Sequence, residues 1–473
     1  MIGTNGRSLA ARRKAHPTAA STRSADRDRP ENSAPTAPNR FAALRPPTCR
    51  LLRNTRSPSL PCGQSSECGF VSNDSRAQNV PRIDIDVPAE IEPSGLNELV
   101  NLSGKSANES WEDVSFSFLI NGQLLRTSLL EFVTANTLST ESVLEIECIL
   151  QEEAPIPDQS LEDDDWIGAV HTTRDWIYSA NYGGSLNVWS RKGKKVASRK
   201  FKEESLRCVR AFNTPNGEFV VCGGEEQTLT VCKKEAAELL PLVLLRGHER
   251  SIECVGVNAD GSCLVSGGFD KCIKIWRLDQ DDTNFTANRS ETAAKRQKSS
   301  VITKIPLMTL ETHRDAVMDV EWLPTEENRV LTASWDQTLI LWDVEAGSVI
   351  TTLSCNKAHS RLSINPLSGL VVTASMDAVI RMWDLRSKDE FMIKQRFRGH
   401  NGIVSDVHWS PSSENLFVSS SFDATVKMWD IRSPNAPLYD ISGHVGHVLA
   451  VDWSVDSLIV SAGKDSTIKT YKR

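Results

Sequence analysis

The sequence predicts a mainly β fold: a seven-bladed β-propeller preceded by a small α/β domain and a disordered N-terminal arm. Three observations predict it. An aromatic residue or its equivalent recurs from Trp189 to Tyr471 at intervals of 43, 44, 66, 41, 46 and 42 residues. Between residues 68 and 150, strand-like and helix-like runs alternate in the order ββαββ with a short helix before the last strand. Residues 1–60 carry 12 basic and 3 acidic side chains, +9 within a chain whose total is −7, which leaves −16 for the rest. A chain of 473 residues is expected to divide into at least two units.

Composition excludes several classes. An acidic body argues against a surface that is all nucleic-acid footprint. No apolar run approaches the roughly 20 residues a membrane span needs, the longest being of core-strand length such as PLVLL at 241–245, so a soluble chain with no membrane partner is expected. Eleven cysteines, an odd number with no C-x-x-C pair, argue against a disulfide scaffold or a zinc ribbon and point to a reducing compartment. Cys208, Cys222, Cys254, Cys263 and Cys272 alternate with aliphatic residues, as small buried hydrophobes do.

Residues 1–67 are rich in Arg, Ser, Pro and Ala without apolar periodicity, so they bury too little to offset the entropy of ordering. This basic arm is read as disordered. A solvated tail, an RNA-touching arm and a mitochondrial presequence all share its composition.

The small domain is expected at 68–150. Strands are read at 68–73 and 83–87 (IDIDV), then a helix from Pro93 with Ser94 as candidate N-cap and Leu96, Leu99 and Val100 on one face. A hairpin follows, 116–120 and 123–126 around Asn121-Gly122, a sequence suited to a two-residue turn. A helical piece at 128–133 and a closing strand at 142–150 complete the order of ubiquitin. The segments VPAEIEPSGLNELVN, SFLINGQLLRTSL and TESVLEIE resemble the ubiquitin-like N-terminal domain of the Notchless family and its WD-repeat relatives in ribosome biogenesis. The resemblance implies that one acidic residue before the last strand, here Glu141, is presented to the metal-ion site of the AAA ATPase midasin. A loop carboxylate suits that task, because hard divalent ions take oxygen ligands. The chain would hold no metal of its own.

The repeats occupy 165–473. Asp270, Asp336, Asp377, Asp423 and Asp465 each precede Trp276, Trp342, Trp383, Trp429 or Tyr471 by six residues, and Ser266, Thr332, Thr373, Ser419 or Ser461 lies four before the Asp. His248, His313, His400 and His444 stand 21–23 residues before four of them. Together these form the WD40 signature of a four-stranded propeller blade. Two degenerate copies end at Trp189 and Cys232, with Gly183 and Glu226 in the Asp place. A Ser-His-Asp set raises the question of a hydrolase, but an active site is not replicated four times at fixed offsets. The expected role is structural, a hydrogen-bond chain to the indole N–H. Eight of the 12 Trp fall at recurring positions, which accounts for the Trp excess over 4 Tyr.

The last repeat lacks an outer strand, so an upstream donor within 146–162 is expected, part of an acidic linker at 151–164. The 66-residue interval marks an insertion at about 280–301, expected to be disordered, in which Lys295-Arg296-Gln297-Lys298 is a nuclear-localisation candidate or a solvated loop. The residues preceding the blade Asp positions lie on one rim. Tyr182, Phe269, Trp335, Met376 and Phe422 there are candidate partner contacts, with packing between adjacent blades as the other reading.

No phosphate-cradling loop, H-E-x-x-H or unique nucleophile set is present, so neither an enzyme nor a cofactor is expected. Domain order, repeat number and the insertion after the third blade resemble the WD-repeat member of the complex formed with Pescadillo and the block-of-proliferation protein. That resemblance implies a non-catalytic scaffold of the pre-60S particle, in nucleolus and nucleoplasm, required for 28S and 5.8S rRNA maturation and removed by midasin. Whether such a scaffold touches RNA directly stays open. A second reading comes from WDLR at 383–386 and WDIR at 429–432, the W-D-x-R pattern of substrate receptors for cullin-type ubiquitin ligases.

Overall fold

A computed structural model describes residues 65–72, 80–82, 84–108, 110–138, 143–278, 301–386 and 393–473. The arm through residue 64, Glu141, the inserted residues 279–300 and with them Lys295–Lys298 lie outside the described residues.

The small domain comprises β1 (Ser65–Val71), β2 (Asp84–Pro88), α1 (Pro93–Ala107), β3 (Phe116–Ile120), β4 (Gln123–Leu124), α2 (Leu129–Ala135) and β5 (Leu144–Leu150). Its sheet order is β2-β1-β5-β3-β4, with β1 parallel to β5. Leu96 and Val100 of α1, Leu129 and Val133 of α2, and Phe116, Phe118, Ile146 and Cys148 of the sheet share one core. Asn121 and Gly122 both have positive φ (52° and 72°), the turn that matches strand twist. Several boundaries shift from expectation: β2 (84–88 against 83–87), β4 (123–124 against 123–126), α2 (129–135 against 128–133) and β5 (144–150 against 142–150) by a few residues, and two more have a clear cause. Strand β1 starts at Ser65, inside the stretch read as the arm, because pairing with β2 and β5 orders it. The N-cap of α1 is Glu92 rather than Ser94; Pro93 takes the first helical position, where its missing N–H costs nothing.

After β6 (Ile156–Glu162), the described residues form seven further sheets. Their innermost strands are Ile167–Thr172, Leu206–Thr214, Ile252–Val257, Val317–Trp322, His359–Ile364, Val404–Trp409 and Val448–Val455, in sheets 1 to 7. Each neighbours the next, and the last neighbours the first. Apolar side chains alternate along the strands and pack sheet against sheet. Between sheets 6 and 7, for example, Leu416, Val418 and Met428 meet Val451, Trp453 and Tyr471.

Strand β6 is the outer strand of sheet 7, antiparallel to Thr467–Lys472 with Leu161 opposite Ile468. The segment after the insertion does something the sequence did not suggest. Ile302–Lys304 first adds a fifth, parallel strand to sheet 2, opposite Val243–Leu245, and only then does Met308–Leu310 complete sheet 3.

The small domain rests on sheet 6. Leu124 packs on the cluster containing Leu438 and Tyr439, and the Arg126 guanidinium donates to the Leu438 carbonyl (3.0 Å) and to that of Pro437. The Tyr439 hydroxyl donates to the Glu152 carbonyl (2.6 Å), holding the linker beside it.

Leu161 is 6% exposed and packs with Ile177, Trp189 and Ile468. Leu161→Ala should cost about 2–4 kcal/mol in urea unfolding although the residue lies outside every repeat; a change below about 0.5 kcal/mol would show that β6 is dispensable.

Candidate functional site

Four sheets hold the expected polar chain. In sheet 3 the His248 ring meets Asp270 (Nδ1 to Oδ2, 2.7 Å) and Ser266 (Nε2 to Oγ, 2.7 Å), and the Trp276 indole N–H donates to Ser266 (2.9 Å). Sheet 4 repeats this with His313, Asp336, Thr332 and Trp342, and sheet 6 with His400, Asp423, Ser419 and Trp429. In sheet 7 His444 joins Asp465 and Ser461. Burial lowers the pKa of His400 and His444 despite their carboxylate partners, so these rings stay neutral. Burial opposes ionisation of Asp336 and Asp423 too, but hydrogen bonds from His, Thr and a backbone N–H hold both well below the usual carboxylate range. The hydroxyl in each set is fully buried, and where a Trp follows it also accepts the indole N–H. None of these hydroxyls is open to a substrate.

Two sheets reach the same end with other residues. Sheet 5 has no His at the expected offset; Arg381 makes a two-pronged ion pair with Asp377 (3.0 and 2.8 Å), and Trp383 still donates to Thr373 (2.9 Å). In sheet 1 the carboxylate is Asp163, which accepts from Ser179 (3.1 Å), Asn187 (2.8 and 2.9 Å) and Asn181 (3.3 Å), while Trp189 donates to Ser179 (3.0 Å). The sequence alone places Asp163 in the acidic linker at 151–164, with no role in a blade. A signal was present: it stands 16 residues before Ser179, where the regular repeats place a His 17–19 residues before the hydroxyl.

A second network surrounds the axis and was not read from the sequence. Asp319 accepts the Leu362 N–H (2.8 Å), Glu321 that of Ile364 (2.9 Å), Asp406 that of Val451 (3.0 Å) and Asp452 that of Thr172 (2.8 Å). Each bond crosses to the next sheet, the last joining sheet 7 to sheet 1. Burial pushes Glu321 up to about 8 and Asp406 up to about 7, against the pull of Arg210 on the first and Arg361 on the second. Asp406 lines the axial cavity, and both side chains keep partial exposure. Among the described residues no cluster of His, Cys, Asp or Glu is arranged to hold a metal ion.

The rim residues divide. Met376 is 45% exposed. The other four are half-buried against neighbours: Phe269 edge-on to Trp335 (5.2 Å), Tyr182 edge-on to Trp166 (6.1 Å) and beneath the Arg207 guanidinium (4.6 Å), and Phe422 stacked on His447 (4.8 Å). Trp166, 41% exposed and covered by Lys464 (4.2 Å), extends the same surface. The W-D-x-R arginines fold back onto their own aspartates, Arg386 onto Asp384 (3.1 Å) and Arg432 onto Asp430 (2.7 Å).

Residues 67–133 match the NLE (NUC135) domain, and 240–277, 304–343, 347–384, 392–430 and 435–472 match the WD domain, G-beta repeat. The chain is 45% identical over 403 residues to the ribosome biogenesis protein WDR12 homolog of Brugia malayi, covering 84% of this chain and 93% of that protein. It is 36% identical to that of Caenorhabditis briggsae (85% and 94%) and 34% to that of Ixodes scapularis (85% and 97%). The chain belongs to the WDR12 family of ribosome biogenesis proteins. The repeat matches of this WDR12 family member begin in the fourth strand of sheet 2 and leave sheet 1 unmatched, where Asp163 replaces the regular His and Asp.

Asp163→Ala leaves three buried donors unsatisfied and should lower stability by about 2–4 kcal/mol in chemical denaturation. Asp406 gives a pH test. Its unfolded carboxyl ionises near the ordinary value of about 4, so between about pH 4 and 7 the unfolded chain releases a proton that the folded chain keeps, and stability falls as pH rises. Asp406→Asn removes that loss. Relative to wild type its stability should improve steadily as pH rises from about 4 to 7.5 in thermal melts, on top of a constant offset from exchanging one acceptor oxygen for an amide.

Proposed function

We propose that this chain is a non-catalytic scaffold of large-subunit assembly: a seven-bladed propeller closed by β6, with a ubiquitin-like domain seated on its sixth blade. The extended identity to ribosome biogenesis proteins carries this reading. The non-catalytic part is supported by the Ser-His-Asp sets, whose hydroxyls are fully buried and, in three sheets, accept a Trp indole N–H. In this reading the protein works in nucleolus and nucleoplasm with Pescadillo and block-of-proliferation proteins on the pre-60S particle, and is needed for 28S and 5.8S rRNA maturation. Met376 and Trp166 on the rim are its partner contacts, joined by Tyr182, Phe269, Trp335 and Phe422. Midasin engages Glu141 and strips the protein from the particle. Because Arg126 and Leu124 clamp the small domain to sheet 6, force applied there reaches the propeller through packed side chains as well as through the linker.

The cullin-receptor alternative has less to stand on. Arg432 is bound to Asp430, and its carbonyl lies 3.5 Å from where a side chain on Gly122 of the small domain would begin.

Affinity purification should recover pre-60S particles and Pescadillo rather than a cullin adaptor. With the full-length protein, Glu141→Ala should weaken magnesium-dependent binding to the midasin metal domain at least about tenfold, the loss of one charge-assisted ligand. Unchanged binding would remove the proposed contact.

A further inference from the structure

The whole-chain charge hides a local concentration that no function so far has used. Residues 191–202, RKGKKVASRKFK, hold seven basic side chains and no acidic one. They form the final turn of sheet 1 and its outer strand, Lys195–Lys200, which pairs on one side with Ser185–Ser190 and is the last strand of its sheet.

The turn is built, not loose. The Gly193 N–H donates to the Ser190 carbonyl (2.9 Å), and Gly193 has φ +79°. A side chain on Gly193 would lie 2.4 Å from Gln159 Oε1 and 2.9 Å from Leu161, so the turn is seated directly on β6. The Gln159 amide also donates to the Arg191 carbonyl (3.1 Å), and Arg191 reaches inward to Ser457 (3.3 Å) and the Thr173 carbonyl (3.4 Å). Some charges on the strand are engaged: Lys195 with Asp163 and Asp164 (3.5 and 3.3 Å), Arg199 with the Leu239 carbonyl (2.9 Å). Lys192 and Lys194 are exposed, and among the described residues neither has a carboxylate partner. Lys200 and Ser198 share the outward face of the strand, Lys200 paired only to the exposed Glu203 (3.7 Å).

We propose that this edge of sheet 1 binds the phosphate backbone of single-stranded RNA, with Lys192, Lys194 and Lys200 as the phosphate contacts. The stripe runs along a strand rising about 3.3 Å per residue, so from the turn to Lys200 it spans roughly 20 Å, room for several phosphates. Phosphate contacts need mobile cations on a fixed frame, which this turn supplies, and they carry no base specificity. Edge protection is not a sufficient reason for the charge: the outer strand of sheet 4, Ser348–Ser354 (SVITTLS), has no charged residue. The inference rests on the ribosome-assembly reading for its choice of RNA over an acidic protein segment, since a pre-ribosomal particle presents RNA in excess.

The test uses the full-length protein and a labelled 20-nucleotide single-stranded RNA, with anisotropy titrations from 50 to 200 mM KCl. The triple variant Lys192→Ser, Lys194→Ser, Lys200→Ser is expected to bind about 10–100-fold more weakly near 0.1 M salt. The slope of log K against log salt should become shallower by about 2, three phosphates at roughly 0.7 each. Its melting temperature should stay at the wild-type value, since all three side chains are solvent-facing. A second variant, Arg12→Ser, Arg13→Ser, Lys14→Ser, measures the share of the basic arm separately. Wild-type affinity and slope in the Lys192/Lys194/Lys200 variant would overturn the proposal, whatever the arm contributes. So would loss of binding to polyglutamate with RNA binding intact, which would assign the edge to an acidic protein segment. Particle co-purification is a separate readout, so failure of the assembly role and failure of this contact are distinguishable.

Discussion

Pairing of β6 with Thr467–Lys472 joins segments about 310 residues apart, and sheet 7, which meets sheet 1, depends on it for its outer strand. Bringing such distant segments together costs on the order of 5 kcal/mol of chain entropy. Six paired positions and burial of Leu161 against Ile468, Ile177 and Trp189 offset that cost. The same strand supports other features: Gln159 holds the basic turn of sheet 1, and the linker just before β6 is tied to sheet 6 by Tyr439. Closure, the seat of the small domain and the basic edge are therefore mechanically linked.

Two polar systems divide the work of holding the sheets. The Asp-His-Ser/Thr-Trp sets act within a sheet, tying its turn to its third strand. The axial carboxylates act between sheets, each reaching a backbone N–H of the next. Both place ionisable groups where burial is costly, and both compensate with hydrogen bonds. In both systems the ionisable groups serve to hold strands and sheets together. The rim around Met376 and Trp166 and the charged edge of sheet 1 stay exposed outside both systems.

The regular repeats were legible because the offsets among His, Ser or Thr, Asp and Trp are local and repeat within one stretch of chain. Sheet 1 was only half legible. Its Trp189 and Ser179 fell at the right spacing, but its carboxylate came from the preceding loop, and an Asp among Asp164, Asp165 and Glu162 looks like a solvated run. Arg381 as the partner of Asp377 was hidden for a related reason, since an outward Arg on a strand and one folded onto its own turn read alike. The rim aromatics were found as residues but not as neighbours, and Phe269 against Trp335 is a contact between sheets.

By itself the sequence determined what is local: the repeat unit, its polar signature, the order of elements in the small domain and the need for an outer strand from upstream. Periodicity and turn chemistry act over a few residues, so they can be read along the chain. Tertiary structure alone decided what depends on distant segments meeting. It turned Asp319, Glu321, Asp406 and Asp452 into an axial lock, set Ile302–Lys304 on sheet 2, and seated Arg126 on sheet 6. It also sorted the basic run 191–202, turning Arg191 inward, pairing Lys195 and Lys202 with carboxylates, and leaving Lys192, Lys194 and Lys200 facing solvent. A net charge is a sum over the chain, whereas a binding surface depends on where the charges stand.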